Sequence, residues 1–367
     1  MDSKKEQLLA LVQHNPFISQ QDLAERLKLS RSAVAGHVAA LTRERRIVGR
    51  AYVLPQRRSI VCLGGSNIDR KLRSLAALQM GNSNPASLIE SPGGVARNVA
   101  ENLGRLGLPV HLLSAFGDDA AGRFLLQQAR QWGVDCSASL ITADAPTGSY
   151  TAVLNPDGSL ALGLAQMDLC ERLTPAFLRQ CAPQRAQAGL ILIDLNLPAA
   201  SIQQLLAEAQ IEGSAAVVAV AVSPSKMARL PADLSGLSLL ILNRDELSAC
   251  AGMTLNADAH AHADLVRAHQ LLSARGLRSL IVTQGGGPLW FGAADQALKS
   301  LKPPKSKVVD VTGAGDAFAA GVSAALMDKP DDLAAACRLG FKLARLTLQC
   351  ESTVSPELSP ALLEATS

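Results

Sequence analysis

Aromatic side chains are scarce: two Trp, two Tyr and seven Phe make up 3% of 367 residues. A ligand site walled by stacked aromatic pairs is therefore not expected, and Met or Leu would have to flank any planar group. No apolar run reaches the roughly 18 residues that span a bilayer; the longest candidate, 215–222, suits a buried strand. The seven cysteines contain no C-x-x-C pair, which argues against a zinc knuckle or a redox motif. Their odd number and apolar settings suit reduced thiols in a cytoplasmic protein. The opening Met1-Asp-Ser-Lys-Lys-Glu-Gln-Leu8 lacks a secretory layout. There is no G-x-x-x-x-G-K-[ST], so nucleotide binding by a P-loop is excluded.

What is present is a packed globular composition, 48% hydrophobic and 18% charged. The length favours one large domain and one small one. The net charge of +3 is unevenly held. Residues 1–58 carry 11 Lys and Arg against 5 Asp and Glu, so the remainder is net negative. In this basic segment the pattern predicts helices over 4–14, 20–27 and 31–45. Ser19 and Ser30 stand as N-caps, and Ala24, Leu29, Val34 and Leu41 form a small core. Residues 47–54 alternate as a wing would. Residues 1–56 thus resemble a winged helix-turn-helix. The resemblance implies a third helix that presents Arg31, Ser32, Ala35 and His37 to double-stranded DNA. Arg43, Arg45, Arg46 and Arg50 would lie near phosphates. A helical module for oligomerisation is the alternative.

From 57 to 367 short apolar strands alternate with helices. Strands are expected at 59–63, 110–114, 189–194, 216–220, 237–242, 280–283 and 307–309. Helices are expected at 95–106, 120–132, 201–210, 260–275 and 317–326. This alternation predicts an α/β domain with a mainly parallel sheet covered on both faces. Residues 150–162, centred on Asn155-Pro-Asp-Gly158, read as a hairpin in a smaller sheet that stands off the main one.

The most informative stretch is Asp310-Val-Thr-Gly-Ala-Gly-Asp-Ala-Phe318. Gly313, Ala314 and Gly315 can turn successive amides toward an anion at a helix start. Such a nest suits a phosphoryl group and the charge that develops on it. Asp316 lies at the same helix end, placed to take a proton from an attacking hydroxyl. A capped glycine turn without chemistry is the alternative for this stretch alone. Four other places join it. Asn67 and Asp69 follow the first strand, and Gly93, Gly94 and Asn98 open a helix. Asn243 and Glu246 follow another strand and suit hydrated Mg2+ near phosphates. Thr283 and Gly285 begin a further close-approach loop.

In this order, residues 59–360 resemble the ribokinase-like (PfkB) carbohydrate kinases. The motifs that carry the resemblance are Gly64-Gly-Ser-Asn-Ile-Asp69, Gly93-Gly-Val-Ala-Arg-Asn98, Asn243-x-x-Glu246 and Asp310-Val-Thr-Gly-Ala-Gly-Asp316. The resemblance implies a ribokinase-like three-layer α/β/α sandwich with a small β-sheet lid, ATP as donor and a sugar or nucleoside hydroxyl as acceptor. It also implies acceptor contacts from Asn67, Asp69, Gly93, Gly94 and Asn98, Mg-ATP contacts from Asn243, Glu246, Thr283 and Gly285, and Asp316 as base. Asp310 and Thr312 match positions that hold a monovalent cation such as K+, with carbonyls from 350–355. The glycine helix, the hairpin and the following Ala165-Gln-Met-Asp168 look most like the pseudouridine kinase branch, with Asp168 near the acceptor. Inosine, guanosine, cytidine or ribose are the other acceptors in view. A nucleoside-sensing transcription regulator is the reading of a different class. An apolar lid face leads us to expect a homodimer.

Overall fold

Strands such as Ser59–Leu63 are buried at every position, which requires cover on both faces of a sheet. That is the arrangement found in the computed structural model, which describes residues 3–15, 18–48, 58–211, 213–256 and 261–364. They fall into two units, Met1–Arg58 and Ser59–Ser367.

The first unit holds three helices, Lys4–His14, Gln20–Leu27 and Arg31–Arg43. The side chains of Ser3, Ser19 and Ser30 each accept a hydrogen bond from an amide of the following helix. Leu8, Val12, Leu23, Val34, Leu41 and Ile47 meet in its core. Arg31, Ser32 and Arg43 are exposed on the third helix, while His37 is half-buried. At 100° per residue His37 falls beside Val34 and Leu41, away from the exposed stripe. The third helix stops two residues earlier than expected, and Arg45 takes a left-handed φ of 53°. The Arg46 guanidinium forks onto Glu6 at 2.6 and 2.8 Å, so it is engaged within the unit. Residues 49–54 of the expected wing, Arg50 included, lie outside the described residues.

The second unit is built on a nine-stranded sheet. Its order is Lys299–Leu301, Leu289–Ala293, Ser279–Thr283, Leu237–Asn243, Ala216–Val220, Ala188–Asp194, Ser59–Leu63, Val110–Leu113 and Val134–Asp135. The last seven run parallel, and the first two add an antiparallel edge. Alternate side chains of each strand enter two separate cores. Ile60, Cys62, Leu190 and Leu192 pack with helices Val95–Arg105, Ala314–Asp328 and Leu333–Leu348. Val61, Leu63, Ile191 and Ile193 pack with helices on the other face, including Ala199–Ala209 and Ala261–Ala274. Helices Ala314–Asp328 and Leu333–Leu348 touch backbone to backbone, since a Cβ on Gly321 would stand 2.8 Å from the Gly340 Cα.

A second sheet of four strands stands apart, in the order Ala86–Gly93, Asn67–Ser74, Gly148–Leu154 and Leu160–Gln166. The last two form the expected hairpin. The first two were not expected as strands. Asn67–Ser74 has only two apolar residues, Ile68 and Leu72, and Ala86–Gly93 is mostly exposed, so neither displays an apolar alternation. Conversely, residues 307–309 form no strand. Val308 and Val309 are exposed, and the Val309 amide donates to the carbonyl of Leu348 in a helix end, with no neighbouring strand to pair.

Candidate active site

Chain order and sheet order together place the site. From Ser59–Leu63 the chain builds outward on one side through Val110–Leu113. It then returns to the other side at Ala188–Asp194. The reversal opens a crevice at the carboxyl ends of these two neighbouring strands, the usual ligand position in such sheets. Asp194 sits at that point and is fully buried. It accepts from the amides of Gly65 at 2.8 Å, Ala96 at 3.0 Å and Asn196 at 2.8 Å. Burial raises its pKa, and these three amides oppose the rise. Asp194 thereby ties the loop after the first strand to the start of the Val95–Arg105 helix.

The residues expected to meet an acceptor converge here. Asn67 Nδ2 donates to Asp69 Oδ1 at 2.6 Å. In the lid register Asn67 faces Gly93, and a Cβ on Gly93 would overlap the Asp69 carboxylate. Gly94 has φ +97°, and a side chain there would strike the Gly65 carbonyl. Asn98 Nδ2 donates to Asp316 Oδ2 at 2.8 Å, which joins the acceptor side to the start of the Ala314–Asp328 helix. Asp168 is the exception. It is exposed in a short turn after the lid, whereas its neighbour Met167 brings its thioether toward Gly65 and Gly148.

The Ala314–Asp328 helix begins at Gly313, φ +79°, where a Cβ would collide with the Thr353 carbonyl. No side chain caps this helix; the Ala314 amide donates to the Val311 carbonyl at 3.3 Å, and those of Gly313 and Gly315 are left for a ligand. A Cβ on Gly315 would meet nothing within 4 Å, which leaves an open approach. Asp316 lies in the first turn. Burial, then the carboxylates of Asp194 and Asp69, push its pKa up to about 7 against the hydrogen bond from Asn98. A carboxylate with that pKa is poised to exchange a proton near neutral pH.

Farther along the sheet, Asn243 and Thr283 are register partners at the carboxyl ends of adjacent parallel strands. Asn243 Oδ1 accepts from the Glu246 amide at 2.9 Å, and Glu246 Oε2 accepts from the Asn243 amide at 2.8 Å. This reciprocal cap starts the Arg244–Ala251 helix. It commits one oxygen of the buried Glu246 to the cap. The Thr283 hydroxyl donates to the Leu242 carbonyl at 3.3 Å, and Gly285 has φ +54°. Among the described residues no group of three or more His, Cys, Asp and Glu is placed to hold a metal. The remaining Glu246 oxygen still suits Mg2+, which needs one or two carboxylates and takes its other ligands from water and phosphate.

Three contributors were not singled out from the sequence. Asp194 reads as the end of an apolar strand, and only its charge in that setting marks it. Arg97, 2% exposed, donates to Asn98 Oδ1 at 3.0 Å and pairs with Glu101, which also binds Arg105. It thereby orients the Asn98 amide so that its nitrogen faces Asp316. Lys71 reaches from the lid to Asp310 and Thr312, at 2.6 and 2.8 Å. That ammonium engages both side chains expected to hold a monovalent cation, and with it in place they do not fit one.

A three-layer sandwich with a lid over the switch point defines the ribokinase-like class. The pfkB carbohydrate kinase family model matches residues 57–360, and a winged helix-turn-helix DNA-binding model matches 1–48. An uncharacterized sugar kinase of Escherichia coli, YeiI, is 32% identical over 88% of this chain and 87% of its own. A pseudouridine kinase of Escherichia coli is 30% identical over 82% of this chain and 94% of its own. The structure of a carbohydrate kinase from Agrobacterium tumefaciens superposes with a TM-score of 0.70 at 32% identity, covering 84% of this chain and 96% of its own. The chain belongs to the pfkB family of carbohydrate kinases and is an ATP-dependent sugar or nucleoside kinase with an N-terminal winged helix-turn-helix. No helix among the described residues is long and apolar enough to cross a membrane.

The hub role of Asp194 has a direct test. Asp194→Ala would strand three buried amides at roughly 1–3 kcal/mol each. Urea unfolding should report a loss of at least about 3 kcal/mol. A change within about 0.5 kcal/mol, the range of neutral surface substitutions, would remove Asp194 from that role.

Proposed function

We propose that the protein transfers the γ-phosphoryl group of ATP to the 5′-hydroxyl of pseudouridine, with Asp316 as general base. The observation that carries the chemistry is the Asn98–Asp316 contact at the uncapped start of the Ala314–Asp328 helix. The choice of acceptor rests on the 30% identity to a pseudouridine kinase. Inosine, guanosine, cytidine and ribose are the competing acceptors.

Asn67, Asp69, Gly93, Gly94 and Asn98 grip the ribose hydroxyls, since carboxylate and amide oxygens accept from them. The glycines let the ring approach the backbone. Met167 supplies an apolar wall where aromatic side chains are few. Asp168, exposed beyond it, has no part in this reading. Asp316 takes the proton of the attacking hydroxyl, and the amides of Gly313, Ala314 and Gly315 receive the charge that grows on the transferred group. Asn98 holds Asp316 in line. Thr283 and Gly285 flank the nucleotide. Asn243 and Glu246 hold the water shell of Mg2+, which when bound neutralises phosphate charge. Alignment supplies most of the rate enhancement.

A panel of pseudouridine, inosine, guanosine, cytidine, uridine, adenosine and ribose, assayed with ATP, tests the acceptor. Pseudouridine should stand out in kcat/KM, and a clear preference for another member would replace it. With the preferred acceptor, activity should rise as pH climbs through about 7, because below that value Asp316 holds its proton. Asp316→Asn should cut turnover by a factor on the order of 100–10,000 while ATP still binds. Substantial residual turnover would remove Asp316 from the base role.

We also propose that the first unit binds duplex DNA through Arg31, Ser32 and Arg43, so that enzyme and regulator share one chain. The half-buried His37 does not contribute. Binding to a DNA fragment upstream of the protein's own gene should weaken steeply with salt and vanish when residues 1–56 are deleted. Equal binding by the truncated chain would sink this reading.

The lid suggests a homodimer. Leu88, Leu72, Val153 and Leu162 are successive register partners and so form one apolar row across all four strands. Alternation puts this row on the face opposite Asp69 and Lys71. A second copy presenting the same row is its natural cover. Sedimentation should give a dimer, and a monomer at micromolar concentration would contradict it.

A further inference from the structure

We propose that Lys71 is a built-in cation: its ammonium takes the place of a monovalent metal ion at the Asp310–Thr312 turn, and catalysis therefore does not depend on K+. The proposal rests on the kinase class of the chain and not on the identity of the acceptor.

The turn groups side-chain oxygens around one formal negative charge. Asp310 Oδ1 accepts from the Thr312 amide at 2.8 Å and from its hydroxyl at 2.7 Å. Asp310 Oδ2 accepts from Lys71 Nζ at 2.6 Å, and the Thr312 hydroxyl oxygen accepts from the same ammonium at 2.8 Å. One point charge thus reaches both side chains, which leaves no side-chain oxygen of the turn free of a partner. A K+ ion on those atoms would sit beside an ammonium, and like charges at that separation repel strongly. The Asp310 carboxyl is desolvated, which alone would raise its pKa. The hydrogen bonds from Lys71 and Thr312 nonetheless hold it below the ordinary carboxylate range, so Asp310 is ionised at neutral pH.

Two further features make the ammonium structural. Lys71 lies in the middle of the Asn67–Ser74 strand, where Ile89 and Ala152 flank it in register, so the sheet aims its side chain. It shares a face with Asn67 and Asp69, four and two residues before it. Thr312 in turn precedes Gly313, whose left-handed backbone packs on the Thr353 carbonyl. A charge that holds Thr312 therefore holds the start of the helix whose amides receive the phosphoryl group. Lys71 acts as a positioning residue, and it delivers its charge with the lid.

The experiment compares KCl, NaCl and tetramethylammonium chloride at matched ionic strength, with the full-length protein and the preferred acceptor. The wild-type protein should turn over equally in all three. Lys71→Ala should lose about 10- to 100-fold, the worth of a charge-assisted hydrogen bond, and recover most of it in KCl alone. A second readout needs no acceptor: KCl should raise the melting temperature of Lys71→Ala over its value in tetramethylammonium chloride and leave that of the wild type unchanged. Strong activation of the wild type by K+ overturns the proposal. So does a loss in Lys71→Ala that K+ fails to restore, which would make Lys71 a direct phosphate ligand. If no acceptor in the panel is turned over, the acceptor reading fails, and the melting series alone decides the role of Lys71.

Discussion

A single buried carboxylate organises the crevice. Asp194 cannot meet water, so its cost of burial must be offset by donors, and three backbone amides from three segments supply them. Those segments are the loop after the first strand, the start of the Val95–Arg105 helix and the turn that follows Asp194 itself. Each carries or precedes residues of the site. Burial first, and then the same charge, raises the pKa of Asp316, so the group that sets the geometry also helps to tune the proposed base. Structure and reactivity are coupled here through one desolvated charge.

From this hub a chain of side chains leads outward in fixed order. Glu101 holds Arg97, Arg97 orients the Asn98 amide, and Asn98 faces Asp316. An asparagine amide has two distinguishable ends, and a cation on its oxygen leaves the nitrogen for the carboxylate. The lid adds a second cation, Lys71, at the other end of the same loop-to-helix junction. The uncapped helix start is thus flanked by charge supplied from two separate elements. Neither element lies near it in sequence.

Much of this architecture was legible in the residues. The central strands are near-continuous apolar runs bounded by turns, so Ser59–Leu63 and Ala216–Val220 were expected at the bounds observed. The caps Ser19 and Ser30 placed the starts of the second and third helices of the first unit. The signal failed where burial is one-sided or weak. The lid strands Asn67–Ser74 and Ala86–Gly93 carry charges and small residues, and their pairing is stabilised by partners far along the chain. Residues 307–309 show the converse error. Their β-branched side chains favour extended backbone, but a strand needs a neighbour and the fold offers none. At the site, Gly313 and Asp316 announced themselves through a short motif, whereas Lys71 sits among ordinary charged residues and Arg97, although inside the glycine motif, was not singled out.

By itself, then, the sequence determined the class of fold, the order of the motifs and the kind of chemistry, because these depend on local patterns of burial, glycine and charge. The tertiary structure decided which charged groups meet. Lys71 and Asp310 are separated by 239 positions, and Asn98 and Asp316 by 218. No local preference encodes contacts at that range. They follow from strand order and register, which bring distant carboxylates, amides and ammonium groups into one crevice where low solvent access makes each charge count.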